Sequence, residues 1–290
     1  MRGRHRIVVE ALRGVLEEDK VALTVRGFDV VGDIAVIRVP EQLEAERFLI
    51  GQALQRRLPY IKTVLAQVGA VEGDFRTRNL EWLSGEQKTV TFHREHGCVF
   101  EVDLARTYFS PRLLHERFRV AELCRYSSAQ ERVLNMFSGV GCFSVMIAKR
   151  SSKAHVYSVD LNPEAVRYQL KNIRLNKVRD KVTVVFADAR CTAESLLRGC
   201  MNRVLMPLPE KAYTYLHSAL AAIGPEGGTI HYHDFAHAYK HEDPVEKATL
   251  KIAEKLGTQS RSFTIEYGRV VRTVGPNWYQ IVLDIAIVSA

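Results

Sequence analysis

The chain has 290 residues, 47% hydrophobic and 26% charged, which is enough apolar side chain for one large folded core or two ordinary ones. No apolar run approaches the ~20 residues that cross a bilayer. The basic start, Met1-Arg-Gly-Arg-His-Arg6, lacks the long apolar stretch of a secretory leader. Five cysteines, at 98, 124, 142, 191 and 200, are odd in number and show no Cys-x-x-Cys spacing. Neither a disulfide framework nor a zinc site is indicated, which fits a reducing cytoplasm. The net charge of +8 comes entirely from residues 112–290, with 25 Lys/Arg against 17 Asp/Glu; residues 1–111 balance at 16 and 16. A basic excess confined to one part suits a polyanionic partner such as RNA.

In chain order, Ile7, Val8, Val9, Ala11, Leu12, Val15 and Leu16 predict an amphipathic helix over 7–18. Phe28 to Val39 reads as two short strands about Gly32-Asp33, a hairpin. Pro40 opens a charged helix running towards Arg57, and Leu58 to Leu65 returns to strand. Strand-like pieces follow to 103, among them 89–93 and 98–103, so residues 1–111 form a small α+β domain. Pro111 marks the join, after which Leu114, Phe118, Ala121 and Leu123 recur at helical spacing.

From 112 to 290 strands and helices alternate. Strands are expected at 133–137, 155–159, 182–186, 203–206 and 227–233, with helices at 162–176, 213–223 and 245–256 between or after them. Two long strands, 262–271 and 278–288, close the chain with only a short link. Regular alternation predicts a mostly parallel sheet with helices on both faces, and the last pair an antiparallel edge. Such a plan is a class I, Rossmann-like S-adenosylmethionine methyltransferase fold rather than the usual NAD fold.

The centre of this domain is Val133 to Ser144. An apolar strand runs into Gly139-x-Gly141, and a helical pattern starts at once. Glycines permit the sharp turn, and the helix start offers unpaired N–H groups. The next strand ends on Asp160, 21 residues beyond Gly139, close to the spacing that puts a carboxylate on a ribose hydroxyl. Ser144 stands where a dinucleotide site has its third glycine, which argues against NAD. S-adenosylmethionine carries no phosphate and needs only the loop and the ribose acid.

Several motifs together resemble one known family. They are His93 to Asp103, Tyr108-Phe-Ser-Pro-Arg-Leu113 with Glu116-Arg117, Asn135 to Phe143, Val159-Asp-Leu-Asn-Pro163 and Leu175-Asn-Lys177. The chain is similar to archaeal and eukaryotic tRNA (guanine-N1)-methyltransferases acting at position 37, beside the anticodon. The resemblance implies S-adenosyl-L-methionine as cofactor, held by Phe137, Ser138, Gly139, Val140, Gly141, Asp160, Leu161, Asn162, Asp188 and Ala189. Within that set Asp160 would take the ribose, Asp188 the adenine amine and the glycine turn the methionine part. Glu116 matches the family's proposed general base and Arg76 the arginine near guanine O6. Arg112, Arg117, Pro209 and Tyr213 are expected to meet the tRNA. Judged without the family, Glu116 reads more simply as a helix-surface acid paired with a neighbouring arginine.

One departure stands out. Family members carry Asn-x-Pro where this chain has Pro207-Leu-Pro209, so an amide that would grip the base is replaced by a residue with no N–H. This variant resembles the archaeal subgroup that also methylates a tricyclic wyosine intermediate at carbon, and dual specificity is expected. Rival readings are aminocarboxypropyl transfer from the same cofactor and a non-catalytic RNA-binding module. Tyr108, Phe109, Tyr213 and Trp278 are candidates for stacking a splayed base. His231 and His233 share a strand face and, with His237 and His241, invite a metal reading. No Cys or acid set completes such a site, so no metal is expected, and no membrane; the protein is expected to act as a monomer.

Overall fold

The computed structural model describes residues 2–24, 27–73, 75–257 and 261–289. The chain divides into two compact units, Met1–Pro111 and Arg112–Ala290.

In the first unit, two helices, α1 (Arg2–Leu12) and α2 (Glu18–Leu23), replace the single helix expected over 7–18. Gly14, at φ 74°, takes a left-handed conformation that stops a helix, so the apolar periodicity outlasts the element. β1 (Asp29–Val31) and β2 (Ile34–Ile37) form the hairpin about Gly32. A 3-10 turn (Glu41–Glu46) with a kink at Leu43 precedes α3 (Arg47–Arg57). β3 (Thr63–Glu72) starts five residues later than expected, because Pro59 and Tyr60 make a turn first. It pairs in parallel with β2 and antiparallel with β4 (Thr77–Gly85), giving the order β1-β2-β3-β4. β5 (Val90–Glu95) and β6 (Cys98–Asp103) make a separate hairpin, its tip turned by His96 and Gly97, both at positive φ. Leu12, Phe28, Ile37, Leu43, Leu54, Val64 and Leu83 form the core.

The second unit begins with α4 (Leu114–Arg125) and β7 (Glu131–Asn135). Then come α5 (Cys142–Arg150), β8 (Ala154–Asp160), α6 (Pro163–Leu175) and β9 (Val182–Phe186). A short turn α7 (Ala189–Cys191) runs into a π-helical turn (Thr192–Leu196) that the residue pattern did not announce. β10 (Arg203–Met206), α8 (Pro209–Ala222), β11 (Gly228–His237) and α9 (Pro244–Gly257) follow, then β12 (Phe263–Gly275) and β13 (Trp278–Ile287). The sheet order is β12-β13-β11-β10-β7-β8-β9. β9, β8, β7, β10 and β11 are parallel; β13 runs antiparallel beside β11, and β12 is the edge. Strand order reverses between β7 and β10, the place where an open α/β sheet leaves a crevice at its carboxyl ends.

The two faces of this sheet differ in chemistry. One carries Leu134, Val159, Val204, Met206, Ile230, Tyr232, Ile281 and Leu283, packed with residues of α8 and α9. Alternation along each strand sends the intervening residues to the opposite face. There Ser158, Asn135, Leu205, His231 and Asp284 lie opposite one another in a single row across β8, β7, β10, β11 and β13. Most of that row is polar and all of it is buried.

Leu134, fully buried on the apolar face, leaves a cavity when cut to alanine. Urea unfolding of Leu134→Ala should show a loss of about 2–5 kcal/mol. Leu170→Ala, on the exposed side of α6, should stay within about 0.5 kcal/mol of the parent.

Candidate active site

β7 ends at Asn135, and the chain turns through Met136 to Gly141 before α5 begins. Gly139 and Gly141 both have positive φ, at 55° and 87°. A Cβ on Gly141 would lie 2.8 Å from Cγ of Gln169, so the position has neither the conformation nor the space for a side chain. α6 holds the turn from outside. Gln169 Nε2 donates to Ser138 Oγ (2.6 Å) and Gly139 O (3.2 Å), and Asn172 Nδ2 to Val140 O (2.9 Å). These two amides were missed in the sequence. Their signal was polar residues at helical spacing (169, 172) within the buried stripe of α6, which also carries Ala165, Tyr168 and Ile173.

Ser144 has a structural task where a dinucleotide site would have glycine. Its hydroxyl accepts from Asn135 Nδ2 (3.0 Å) and meets Ser158 Oγ at 2.5 Å, tying α5 to β7 and β8. A side chain that fills this gap keeps the helix start off the strand, consistent with a ligand that lacks a pyrophosphate.

Asp160 ends β8 beside this turn. Its Oδ2 accepts from Gly139 N (2.6 Å) and its Oδ1 from Asn162 N (2.9 Å). Burial pushes its pKa up, and those backbone donors pull against the shift. Beyond these backbone donors the carboxylate keeps lone-pair capacity for a ribose hydroxyl. Leu161 and Phe186, at the ends of β8 and β9, leave apolar surface exposed close by, suited to a purine ring. Asn162 is buried and caps α6 through Glu164 N (3.0 Å). Asp188 caps α7 by accepting from Arg190 N (2.7 Å), and its other oxygen accepts from Tyr215 OH (3.0 Å); Ala189 is buried behind it. Tyr215 also packs edge-on against Phe137 (5.2 Å), joining the loops after β7 and β9. Nothing local in the sequence marks it, because α8 is brought there only by the fold.

Glu116 departs from the surface-acid reading. In the first turn of α4, it is 1% exposed. Its Oε1 accepts from Arg119 Nε (2.9 Å) and Nη2 (2.5 Å), and its Oε2 from Arg269 Nε (3.2 Å). Arg119 in turn grips both oxygens of Asp284, at 2.5 and 2.8 Å. Burial alone would raise Asp284, but hydrogen bonds from His231 and Arg119 outweigh it and hold the carboxyl well below its usual range. His231 Nδ1 meets Asp284 Oδ1 at 2.6 Å, while its Nε2 lies 2.7 Å from Arg203 Nη1. Since a guanidinium can only donate, Nε2 must accept; His231 is therefore neutral and donates through Nδ1. Arg203 completes the chain on Glu131 (2.9 Å). Among the described residues, no group of three or more His, Cys, Asp or Glu is arranged to hold a metal ion.

The other expected residues are spread out. Pro207 follows β10 half-buried, and Pro209 is buried at the start of α8. Tyr213 is 39% exposed with Lys251 and Lys255 over its ring, at 4.7 and 3.6 Å. Arg112 is exposed and Arg117 is buried. In the first unit Arg76, at φ 53°, lies over the Tyr108 ring (4.1 Å). Phe109, a stacking candidate, is instead buried at 3% exposure with its ring edge-on to His93.

A parallel sheet with an antiparallel closing strand pair, a glycine turn after its first strand and an acid after its second define a class I methyltransferase fold. Comparison with known proteins narrows this. A model described as the TRM5/TYW2 methyltransferase domain matches residues 91–259, and one described as the TYW2 N-terminal domain matches residues 8–89. The chain belongs to the TRM5/TYW2 methyltransferase family. It is 36% identical over 257 residues to tRNA (guanine(37)-N(1))-methyltransferase Trm5b of Pyrococcus abyssi, covering 89% of this chain and 73% of that one. To tRNA 4-demethylwyosine(37)-methyltransferase Taw21 of Saccharolobus solfataricus it is 34% identical over 258 residues, 89% and 92% of the two chains. The crystal structure of wild-type Trm5b from Pyrococcus abyssi superposes with a TM-score of 0.82 at 34% identity, over 94% of this chain and 78% of that one.

His233, two residues beyond His231, is 1% exposed, and burial lowers its pKa to about 4 against the ordinary 6.5. The unfolded chain therefore takes up a proton below pH 6.5 that the folded chain refuses until about pH 4, so stability falls with pH across that window. Urea unfolding should show about 2–3 kcal/mol less stability at pH 4.5 than at 6.5, with a flatter profile in His233→Gln. A parent profile as flat as the variant's would contradict a neutral buried imidazole.

Proposed function

We propose that this protein transfers the methyl group of S-adenosylmethionine to N1 of guanine 37 in tRNA, beside the anticodon, acting as a monomer in the cytoplasm. The observation that carries this reading is a buried carboxylate, Glu116, anchored to the same sheet that presents the Gly139–Gly141 turn and Asp160. Asp284, to which Arg119 ties it, lies in the row of Asn135, the residue from which the turn departs.

When bound, S-adenosylmethionine supplies a methyl group on a positively charged sulfur. Asp160 would hold its ribose, Asp188 its adenine amine, and the Phe137–Gly141 turn its methionine part. Guanine N1 carries a proton and is a poor nucleophile until that proton leaves. Glu116 takes it on one oxygen, a step that typically contributes ~10²–10⁴-fold in rate. As N1 is deprotonated, charge gathers on O6; the family resemblance assigns an arginine to that charge, and Arg76, stacked over Tyr108, is the residue that matches it. The first unit positions the tRNA, with Arg112 and Tyr213 of the second unit meeting the RNA near the target.

Pro207 supports a second activity on the same site. Without an N–H or an amide it cannot prescribe the edge of a guanine, so a larger tricyclic wyosine intermediate would be accepted and methylated at carbon. The likeness to Taw21, extending over 92% of that relative, supports this reading too.

Mass spectrometry of nucleosides from tRNA incubated with labelled cofactor should show 1-methylguanosine at position 37, and S-adenosylhomocysteine as the spent cofactor. Methylthioadenosine instead would mean aminocarboxypropyl transfer. Glu116→Gln should lower the single-turnover rate by ~10²–10⁴-fold with cofactor affinity unchanged. Asp160→Ala should weaken cofactor binding at least tenfold in calorimetry. A Glu116→Gln variant as fast as the parent would remove the base from the mechanism.

A further inference from the structure

The two oxygens of Glu116 are held in different ways. Oε1 is bound by Arg119, whose side chain is only 20% exposed and is itself locked onto Asp284, at 8%. Asp284 is fixed by His231, and His231 by Arg203. Nothing in that series moves without breaking several short charged hydrogen bonds out of water. Oε2 is held by Arg269, through Nε at 3.2 Å and Nη2 at 3.1 Å. Those contacts are longer, and the Arg269 side chain is 35% exposed.

Arg269 also sits where such a group can leave. It belongs to β12, the edge strand, whose pairing with β13 is interrupted by bulges between Ile265 and Tyr267, Val270 and Arg272, and Thr273 and Gly275. In register it lies opposite Val282, which faces His233 on β11. That row is two residues closer to the carboxyl ends of the parallel strands than the row of Asn135, Leu205, His231 and Asp284. Glu116 is thus faced by Arg119 from its own helix, Arg269 from β12, His233 from β11 and, through Arg119, Asp284 from β13. Only Arg269 among these groups is both charged and substantially open to water.

Oε1 already accepts two hydrogen bonds from Arg119, so the oxygen left for an incoming N1–H is Oε2, where Arg269 is the group that must move aside. We infer that Arg269 is a displaceable cover on the base: it masks Oε2 in the free protein and passes to a phosphate of the bound tRNA, so that RNA docking uncovers the oxygen that accepts the N1 proton. A guanidinium fits a phosphate as it fits a carboxylate, in the same forked geometry, and the RNA backbone supplies the replacement anion. Only the Arg269 end of this pair meets water, so the guanidinium can turn outward to a phosphate while Arg119 keeps the buried carboxylate paired. This inference rests on Glu116 being the base; Arg269 itself takes no proton.

The test measures tRNA binding to the full chain as a function of salt, with the parent's methyl transfer to guanine 37 checked first. Arg269→Gln should flatten the slope of log K against log salt by about one phosphate and weaken binding several-fold, while Arg269→Lys keeps the slope. Glu116→Gln frees Arg269 in advance, so tRNA should bind roughly two- to fivefold tighter with an unchanged slope. That gain should vanish when Glu116→Gln is made in the Arg269→Gln background. An unchanged slope in Arg269→Gln overturns the inference, as does a gain from Glu116→Gln that survives without Arg269, which would mean plain charge repulsion. A parent that transfers no methyl group sinks the functional reading instead, and the salt slopes still report whether Arg269 meets a phosphate.

Discussion

A carboxylate taken out of water must be given cations or give up its charge, and Glu116 is given two. Around that requirement the second unit arranges a polar row inside a sheet. Arg119 answers Glu116, Asp284 answers Arg119, His231 answers Asp284, and the series ends on Arg203 and Glu131 near the start of β7. Each charge after the first exists because its neighbour would otherwise be buried alone. The opposite face of the same sheet is apolar and supplies the hydrophobic stabilisation. Division of labour between faces lets a costly polar network persist within the sheet, from the first residues of β7 and β10 up to the row from which the Gly139–Gly141 turn departs.

The cofactor side follows a different logic. There the groups left for a ligand are backbone N–H donors, an acid with spare lone pairs and uncovered apolar surface. Gln169, Asn172 and Tyr215 fix the loops that carry these groups. Positioning of this kind suits methyl transfer, which needs alignment of nucleophile, methyl and leaving sulfur more than a further reactive group.

What could be read from the residues was what is local. Gly139, Gly141 and Asp160 announce themselves because a turn, a helix start and a strand end are all set within a few residues. Strand alternation and the closing strand pair were legible for the same reason. The polar row was not, since Glu116, Arg203, His231, Arg269 and Asp284 come from five elements and meet only through strand order. His231 and His233, two apart on one strand, invited a metal reading that no further ligand completed, and what the residues did not announce is that His231 is held between an acid and an arginine. The break after Leu12 and the turn at Pro59 were missed because apolar periodicity runs past the residues that end an element.

The central claim is that Glu116 presents an oxygen to N1 of an extruded guanine while Asp160 holds the cofactor ribose. The most direct measurement is a crystal structure of the chain with S-adenosylhomocysteine and an anticodon stem-loop carrying guanine at position 37. It should place Glu116 Oε2 about 2.6–3.2 Å from guanine N1, with Asp160 on the ribose hydroxyls. A guanine bound elsewhere, with Glu116 still enclosed by both arginines, would contradict the account.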